Sequence, residues 1–265
     1  MRVITGDTEE LPDLDTPFLL KSSDSVVLCL ADQKLGNALG SFAGQYKRSA
    51  DCKATGEAKY PMQTKYGKEP ANTFMRQMIA KIGGRGGEAK MLDLKSIEGG
   101  PEFNDGVWFF GYESGYQKVA LPHSCAAVTK VLACGKVTVM IINVVSLNKY
   151  IKQETVEGYD TLTKYVNSLE TWDAKLVDSM RAAGVQMFQA TMEKSNLLYV
   201  PMGWLVMEKA DPSAQLIYGI RKSWMIGTPS SKPAYSILRD LFHADKRNTA
   251  RMDAILALMP PLGPK

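Results

Sequence analysis

The chain contains few of the residues that build metal sites and disulfide frameworks. Only two histidines, His123 and His243, and four cysteines occur in 265 residues. No two cysteines form a Cys-x-x-Cys pair, so neither a disulfide scaffold nor a zinc ribbon is indicated. Gly-Lys-Ser/Thr, His-Glu-x-x-His and Gly-x-Ser-x-Gly motifs are also missing. These absences remove the usual sequence signatures of P-loop ATPases, zinc proteases and serine hydrolases.

Long apolar runs are missing as well. No run reaches the ~18–20 residues that a membrane span needs. The first residues, Met1–Asp7, lack the apolar segment of a secretory signal. The four cysteines are expected to be free thiols in a reducing compartment. We therefore expect an intracellular protein, cytoplasmic or nuclear, without a membrane contact.

What is present is the composition of a globular protein with strands in its central part. The hydrophobic fraction is 45% and the charged fraction 23%, enough apolar surface for a core. Patterns of apolar and β-branched residues predict strands at 25–31, 107–110, 118–121, 136–145, 185–190, 197–200, 204–207 and 215–221. Residues 32–70 show no sustained period and predict loops or a mobile arm.

Helices are predicted by apolar residues that repeat with the helical period. They are expected at 72–82, at 124–133 before the strand at 136–145, at 161–183, and twice in the C-terminal tail between Pro233 and Met259. The helix 161–183 has the clearest stripe, which includes Leu162, Leu169 and Leu176. Glycines at 83–87 and around Gly99 and Gly100 indicate boundaries between regions.

These patterns predict an α+β fold. We expect a mostly antiparallel sheet or a distorted barrel, with the long helix 161–183 packed across it and a helical C-terminal tail. Three regions are expected. Residues 1–100 form an N-terminal region with a basic arm that is partly flexible, residues 101–228 form the β core, and residues 229–265 form the tail.

The most informative stretch is 196–209, Asn-Leu-Leu-Tyr-Val-Pro-Met-Gly-Trp-Leu-Val-Met-Glu-Lys. One apolar strand enters a Pro-x-Gly turn and a second leaves it through Trp204. Over residues 185–224 this pattern resembles the strand, turn and strand with which JmjC-type cupin barrels present their last metal-binding histidine. The resemblance implies a cupin-like β core, but Val206 stands where that family carries the histidine.

The iron chemistry of that family needs two histidines and one carboxylate with open positions on the metal. His123 is followed by Ser124 and Cys125, so the His-x-Asp/Glu pair that the resemblance requires is missing there. His243 and Asp245 have the spacing, but in a predicted helix they point to different faces. We therefore expect no metal and no cofactor, and a non-enzymatic binding or assembly module on a cupin-like scaffold.

A ligand site is expected beside the turn, where aromatic and charged side chains cluster in the sequence. Its candidate residues are Tyr199, Trp204, Glu208, Arg221 and Trp224.

Nucleic-acid binding is the first alternative. Residues 46–81 contain eight basic and three acidic residues with interleaved tyrosines. Cations of this segment could follow a phosphate backbone while tyrosines stack on bases. The candidate residues are Lys47, Arg48, Tyr60, Lys65, Tyr66 and Lys68. An acidic protein could bind the same arm. The alternative without a binding role is a lysine-rich loop exposed to solvent.

A cryptic enzyme is the second alternative. Cys125 lies two residues after His123 and at the start of the helix predicted at 124–133, whose N-terminus would favour a thiolate. Such a cysteine could act as a nucleophile. A degenerate oxygenase with carboxylates such as Glu113 and Glu208 belongs to the same alternative.

Overall fold

A computed structural model gives the fold. It describes residues 2–5, 14–21, 33–48, 56–60, 90–97, 107–112, 117–120, 125–153, 174–214, 217–228 and 230–259. The strands are β1 Arg2–Thr5, β2 Phe18–Lys21, β3 Gly56–Tyr60, β4 Lys90–Met91, β5 Val107–Tyr112, β6 Gln117–Ala120, β7 Ala127–Cys134, β8 Val137–Asn143, β9 Met187–Met192, β10 Leu197–Val200, β11 Trp204–Ala210, β12 Ile217–Trp224 and β13 Ile226–Gly227. The helices are α1 Gln33–Arg48, α2 Val144–Gln153, α3 Ala174–Ala182, α4 Ser231–Ala244 and α5 Ala250–Leu258.

The strands form two main sheets and one short pair. The large sheet has the order β1-β2-β10-β7-β12-β5-β3, the small sheet the order β6-β11-β8-β9, and β13 pairs with β4. Apart from β1 and β2, which run parallel, the pairs between these strands are antiparallel. The predicted α+β class with a mostly antiparallel sheet is therefore confirmed. Within the described ranges the strands form two open sheets and no closed barrel.

Between β5 and β12 the chain moves between the two sheets at nearly every connection. From β5 to β12, successive strands alternate between the large and the small sheet, except that β8 and β9 are neighbours in the small one. The Pro-x-Gly turn makes one of these transfers, because β10 lies in the large sheet and β11 in the small sheet. Gly203 in this turn has a φ of +81°, a left-handed conformation that glycine adopts without strain. Residues 196–209 are thus a corner between layers.

A layer of apolar side chains from both sheets shows that the sheets pack face to face. One buried cluster contains Leu19, Phe110, Tyr112, Val128, Leu132, Leu198, Val200 and Ile217 from the large sheet and Val137, Val139, Ile141, Met192, Trp204, Val206 and Ala210 from the small sheet. Because side chains alternate along a strand, the intervening residues point to the outer faces. We call the surfaces that meet in this cluster the inner faces.

Helices cover the outer faces. Helix α1 contacts β5 and β12 of the large sheet, and the Phe42 ring lies 5.5 Å from the Phe109 ring. Helix α2 contacts β8 and α4, and α4 contacts α5. Helix α3 buries Val177 and Met180 in a second apolar cluster, which also contains outer-face residues of both sheets and residues of the other helices. The two helices predicted between Pro233 and Met259 are confirmed as α4 and α5.

The prediction of a helix at 124–133 is wrong, because Ala127–Cys134 forms strand β7. This strand lies between β10 and β12, and its first six residues are buried on both faces. A strand buried on both faces reads as a continuous apolar run, which the helical period also fits.

Two further boundaries differ from the sequence-based expectation. Residues 33–48 form helix α1 and not a loop. The glycines at 36, 40 and 44 weaken the helical pattern, but Leu39 and Ala43 are buried against the core. The strand predicted at 136–145 ends at Asn143, whose side-chain oxygen accepts a 3.1 Å hydrogen bond from the backbone N–H of Ser146. This bond satisfies an N–H of the first turn of α2.

Several expectations fall outside the described residues. They are the strand at 25–31, the helix at 72–82 and the first part, 161–173, of the long helix predicted at 161–183. The described part of that helix is Ala174–Ala182. The three expected regions stay a prediction. Strands β1, β2 and β3 of the first region lie in the same sheet as β5, β7, β10 and β12 of the second.

Candidate functional site

An ionic cluster joins the inner faces of the two sheets. Lys130 on β7 lies with its Nζ 2.6 Å from Oε1 of Glu208 on β11. The same Nζ donates a 2.6 Å hydrogen bond to the Tyr112 hydroxyl, which in turn donates to Glu208 Oε2 at 2.5 Å. A lysine, a phenol and a carboxylate therefore form a closed ring of contacts. We call these residues, together with Arg221, the inner-face cluster.

Aromatic rings flank both cations of this cluster. The Nζ of Lys130 lies 4.5 Å from the centre of the Phe110 ring and 5.2 Å from that of Tyr112. The Arg221 guanidinium carbon lies 6.0 Å from the centre of the Trp108 ring. Ring faces attract cations and lower the local polarity, so the charges interact more strongly here than in water.

The strand geometry explains why these side chains meet. Lys130 lies between Val128 and Leu132 on the inner face of β7, because every second residue of a strand points to the same side. For the same reason Glu208 lies on the inner face of β11 with Val206. Arg221 is paired in register with Lys130 on one side and with Trp108 on the other, so the three share one row of the large sheet.

Gly219 makes room beside this row. A Cβ at Gly219 would lie 2.1 Å from the Val131 carbonyl oxygen and 2.9 Å from the Phe110 ring. Only glycine therefore lets the Phe110 ring approach the strand and reach the ammonium group of Lys130.

The cluster keeps Glu208 ionised. Burial raises the pKa of its carboxyl, but the charge and hydrogen bond of Lys130, the hydrogen bond from Tyr112 and the charge of Arg221 together outweigh burial and lower the pKa below its ordinary value. The side chains of Lys130 and Glu208 are 10% and 16% exposed, and Arg221 and Trp108 are half-buried. Part of the cluster is thus accessible to solvent, although the inner-face residues on either side of Lys130 and Glu208 are buried.

The structure brings together only some of the predicted ligand-binding residues. Glu208 and Arg221 lie in the inner-face cluster. Trp204 lies on the same inner face of β11, with its ring 5.6 Å from the Phe188 ring. Tyr199 and Trp224 belong to the core on the other face of the large sheet. The five residues do not line one surface, and whether any of them binds a ligand stays a prediction.

Contacts on that outer face account for both aromatic residues. The Tyr199 hydroxyl donates a 3.1 Å hydrogen bond to the Leu14 carbonyl, and its ring stacks on Phe18 at 5.0 Å. The Trp224 indole N–H donates a 2.9 Å hydrogen bond to the Thr129 hydroxyl. These polar atoms are thus satisfied within the core.

Lys130 and Tyr112 were not among the predicted site residues. A signal for Lys130 exists in the sequence, since it is a single charge inside the apolar run Ala126–Ala133. The helix predicted there gave no reason to expect Lys130 between two sheets. Tyr112 ends the apolar run of β5 and carries no comparable signal.

Most of the basic segment proposed for nucleic acids lies outside the described residues. Lys47 and Arg48 end α1, and Tyr60 ends β3. Lys65, Tyr66 and Lys68 fall in the range 61–89, which the structure does not describe. The nucleic-acid alternative and the acidic partner stay predictions.

The surroundings of Cys125 do not favour a thiolate. Cys125 is 2% exposed, and burial raises the pKa of its thiol to about 12, so the thiol stays protonated at neutral pH. It precedes a strand and not a helix N-terminus. His123, the predicted base, falls outside the described residues, and the nucleophile hypothesis has no support from the described part of the chain.

Metal-binding geometry is also missing from what is described. Among the described residues, no group of three or more His, Cys, Asp or Glu side chains could hold a metal ion. His243 lies exposed on α4 and Asp245 caps the end of that helix. In the same ranges no helix has the length and apolarity of a membrane span.

Comparison with known proteins assigns neither a family nor a function to the chain. The chain matches no protein-family model, and no curated protein matches its sequence.

Proposed function

We propose that the protein is a non-enzymatic binding or assembly module on a cupin-like scaffold that lacks the metal triad. Val206 carries this proposal. It lies on the inner face of β11, and the resemblance in the sequence implies that a JmjC-type barrel would carry its last histidine there. An aliphatic side chain has no lone pair to donate to a metal.

The strand arrangement supports the cupin-like part of the proposal. Cupins are jelly rolls, in which eight strands are divided between two facing sheets. Strands β5 to β12 divide four and four, with β10-β7-β12-β5 in one sheet and β6-β11-β8-β9 in the other. The other strands of the large sheet, β1, β2 and β3, extend its edges, and β4 and β13 form a separate pair. The same alternation occurs in other jelly rolls, so the resemblance at residues 185–224 selects the cupin among them.

The surroundings of Val206 favour binding over metal chemistry. Val206 is buried in the inner-face layer and is paired in register with Ile141 and Ala120, both without ligating side chains. Glu208, the member of the inner-face cluster on β11, lies two residues further along the same strand. A small ligand would therefore meet apolar side chains at Val206 and fixed charges at Lys130 and Arg221.

Metal analysis of the purified protein tests the proposal. We expect clearly less than one iron or zinc ion per chain after incubation with Fe(II) or Zn(II) and removal of free metal. The variant Val206→His is expected to stay equally metal-poor, because one imidazole without further ligands does not hold the ion. Stoichiometric metal in the unmodified protein would contradict the proposal. Stoichiometric metal in the variant would show that the other ligands are in place.

A further inference from the structure

We propose that two copies of this chain assemble through strand β9, so that their small sheets join into one continuous sheet. The proposal rests on the proposed assembly role and names the partner, which is a second copy of the same chain. The two copies are related by a two-fold axis that passes between their Gln189 residues.

Strand β9 forms one edge of the small sheet. It pairs with β8 on one side, and within the described part of the chain no strand pairs with its other side. Its side chains remain in contact with solvent, since Gln189 is exposed and Met187, Phe188, Ala190 and Thr191 are only half-buried. The backbone N–H and C=O groups at such an edge can pair with a strand of another molecule.

The hydrogen-bond pattern shows which backbone groups point outward. The Asn143 N–H donates a 2.9 Å hydrogen bond to the Gln186 carbonyl, and these two residues continue the register of β8 and β9. Bonded and non-bonded pairs alternate along an antiparallel ladder, so Phe188, Ala190 and Met192 bond to β8. The N–H and C=O groups of the intervening residues therefore point toward the free edge. These residues are Met187, Gln189 and Thr191.

Strand β9 also lacks the features that protect sheet edges from pairing. Its sequence, Met-Phe-Gln-Ala-Thr-Met, contains no charge and no proline. Charges on an edge strand oppose pairing with another chain, because the pairing would remove them from water. The other edge strands of the two described sheets all contain charged residues, which are Arg2 on β1, Glu57 and Lys59 on β3, and Lys118 on β6. Among these described edges, β9 is thus the one suited to pairing.

The sequence of β9 is complementary to a second copy of itself in antiparallel register. With the two Gln189 residues opposite each other, the outward backbone groups of each copy pair with those of the other. Met187 then faces Thr191 of the second copy, and Phe188 faces its Ala190. The two Gln189 side chains can hydrogen-bond to each other, because an amide both donates and accepts. No charge faces a like charge in this strand pair, so a second copy fits the edge.

The pairing of Phe188 with Ala190 extends the apolar layer across the contact. Phe188 is half-buried, and its ring lies 5.6 Å from the Trp204 ring. Both Phe188 and Ala190 pack against the cluster between the two sheets. In the assembly each Phe188 ring is covered by the small side chain of Ala190 from the second copy. This apolar contact stabilises the assembly in addition to the backbone hydrogen bonds.

Opposite charges introduced at Gln189 test the proposal. Sedimentation equilibrium of the full chain measures its mass, which should approach twice 29.2 kDa as the concentration rises. In Gln189→Lys and in Gln189→Glu, like charges lie opposite each other across the axis. We expect the dissociation constant of the dimer to rise at least about tenfold in both variants at low salt. An equimolar mixture of the two variants should regain the dimer mass, because opposite charges then meet.

Ala254→Lys is the matched control for the added charge. Ala254 is exposed on α5, outside both sheets, so this variant should dimerise like the unmodified protein. Urea unfolding checks that the Gln189 variants fold, which we expect because Gln189 is exposed.

Three results would overturn the proposal. They are an unmodified protein that stays monomeric at every concentration up to its solubility, a dimer that both Gln189 variants leave unchanged, and variants that dissociate but do not recombine when mixed. None of these results affects the metal-free scaffold, which the metal analysis tests separately. Stoichiometric metal would overturn that scaffold whatever the mass of the protein in solution.

Discussion

Gly203 approaches Ala234 so closely that the two residues fix how the turn between the sheets meets helix α4. A Cβ at position 203 would lie 2.1 Å from the Cβ of Ala234. Gly203 also has a φ of +81°. The turn that transfers the chain from β10 to β11 is therefore restricted by backbone conformation and by packing at once.

The first prediction concerns this turn. Gly203→Ala is expected to destabilise the protein by about 2–4 kcal/mol, since backbone strain and the overlap with Ala234 add. Gly184→Ala is the matched control, because Gly184 has a φ of +79° but no atom within 4 Å of an added Cβ. It should cost only about 1 kcal/mol. Urea unfolding measures both, and equal costs would show that the contact with Ala234 is unimportant.

The second prediction concerns the pH dependence that Glu208 gives to stability. Its pKa is lower in the folded protein than the ordinary value of 4.5. The resulting stabilisation is complete above about pH 4.5 and is lost as the pH falls through the lower folded pKa. The stability of the unmodified protein should therefore fall more steeply than that of Glu208→Gln between about pH 4.5 and 2.

Urea unfolding at a series of pH values measures this difference. Glu193→Gln is the control, because Glu193 is 61% exposed in its 3.3 Å pair with Lys136 and water screens the pair. Its effect at neutral pH should stay below about 1 kcal/mol. Parallel pH curves for the unmodified protein and Glu208→Gln would mean that Lys130 does not stabilise the ionised carboxylate.

The third prediction tests the hydrogen bond between Trp224 and Thr129 on the outer face of the large sheet. Trp224→Phe should cost about 2–4 kcal/mol, because it leaves the Thr129 hydroxyl buried without this donor and opens space in the core. Thr129→Val leaves the indole N–H unsatisfied and should cost about 1–3 kcal/mol. In the double variant the cost should be smaller than the sum of the two. Strict additivity in this cycle would argue against the bond.

The fourth prediction concerns Cys125. With a thiol pKa of about 12, Cys125 should react with iodoacetamide more slowly than the half-buried Cys134 at pH 8. Peptide mass spectrometry over time reports both rates. Because the folded pKa is raised above the ordinary 9.0, stability should also fall as the pH rises beyond about 9. Fast, selective labelling of Cys125 at neutral pH would instead support the nucleophile hypothesis.

The sequence predicted local elements well where one pattern dominated. Strand Leu197–Val200 has the predicted bounds, since a short apolar run ends at a proline that stops the strand. Helix α4 follows Thr228-Pro-Ser230 and carries the expected apolar stripe, with Ala234, Tyr235 and Leu238 buried. In these places local propensity and tertiary packing favour the same structure.

The inner-face cluster shows what the sequence could not predict. Lys130 and Glu208 are 78 residues apart, and their contact depends on which strands share a sheet and which face is inner. With a helix predicted at 124–133, nothing in the sequence placed Lys130 opposite Glu208. Strand pairing is set by contacts distant in the chain, and a single sequence carries little information about it.

The order of the large sheet also affects how the protein forms during translation. Strand β12, Ile217–Trp224, lies between β5 and β7, although it is made about a hundred residues after them. Until the ribosome has released β12, the facing edges of β5 and β7 have no partner from this strand. Open strand edges pair readily with other chains. A nascent or truncated chain that stops before residue 217 therefore exposes two strand edges that β12 covers in the complete sheet, and we expect it to aggregate more readily than the full chain.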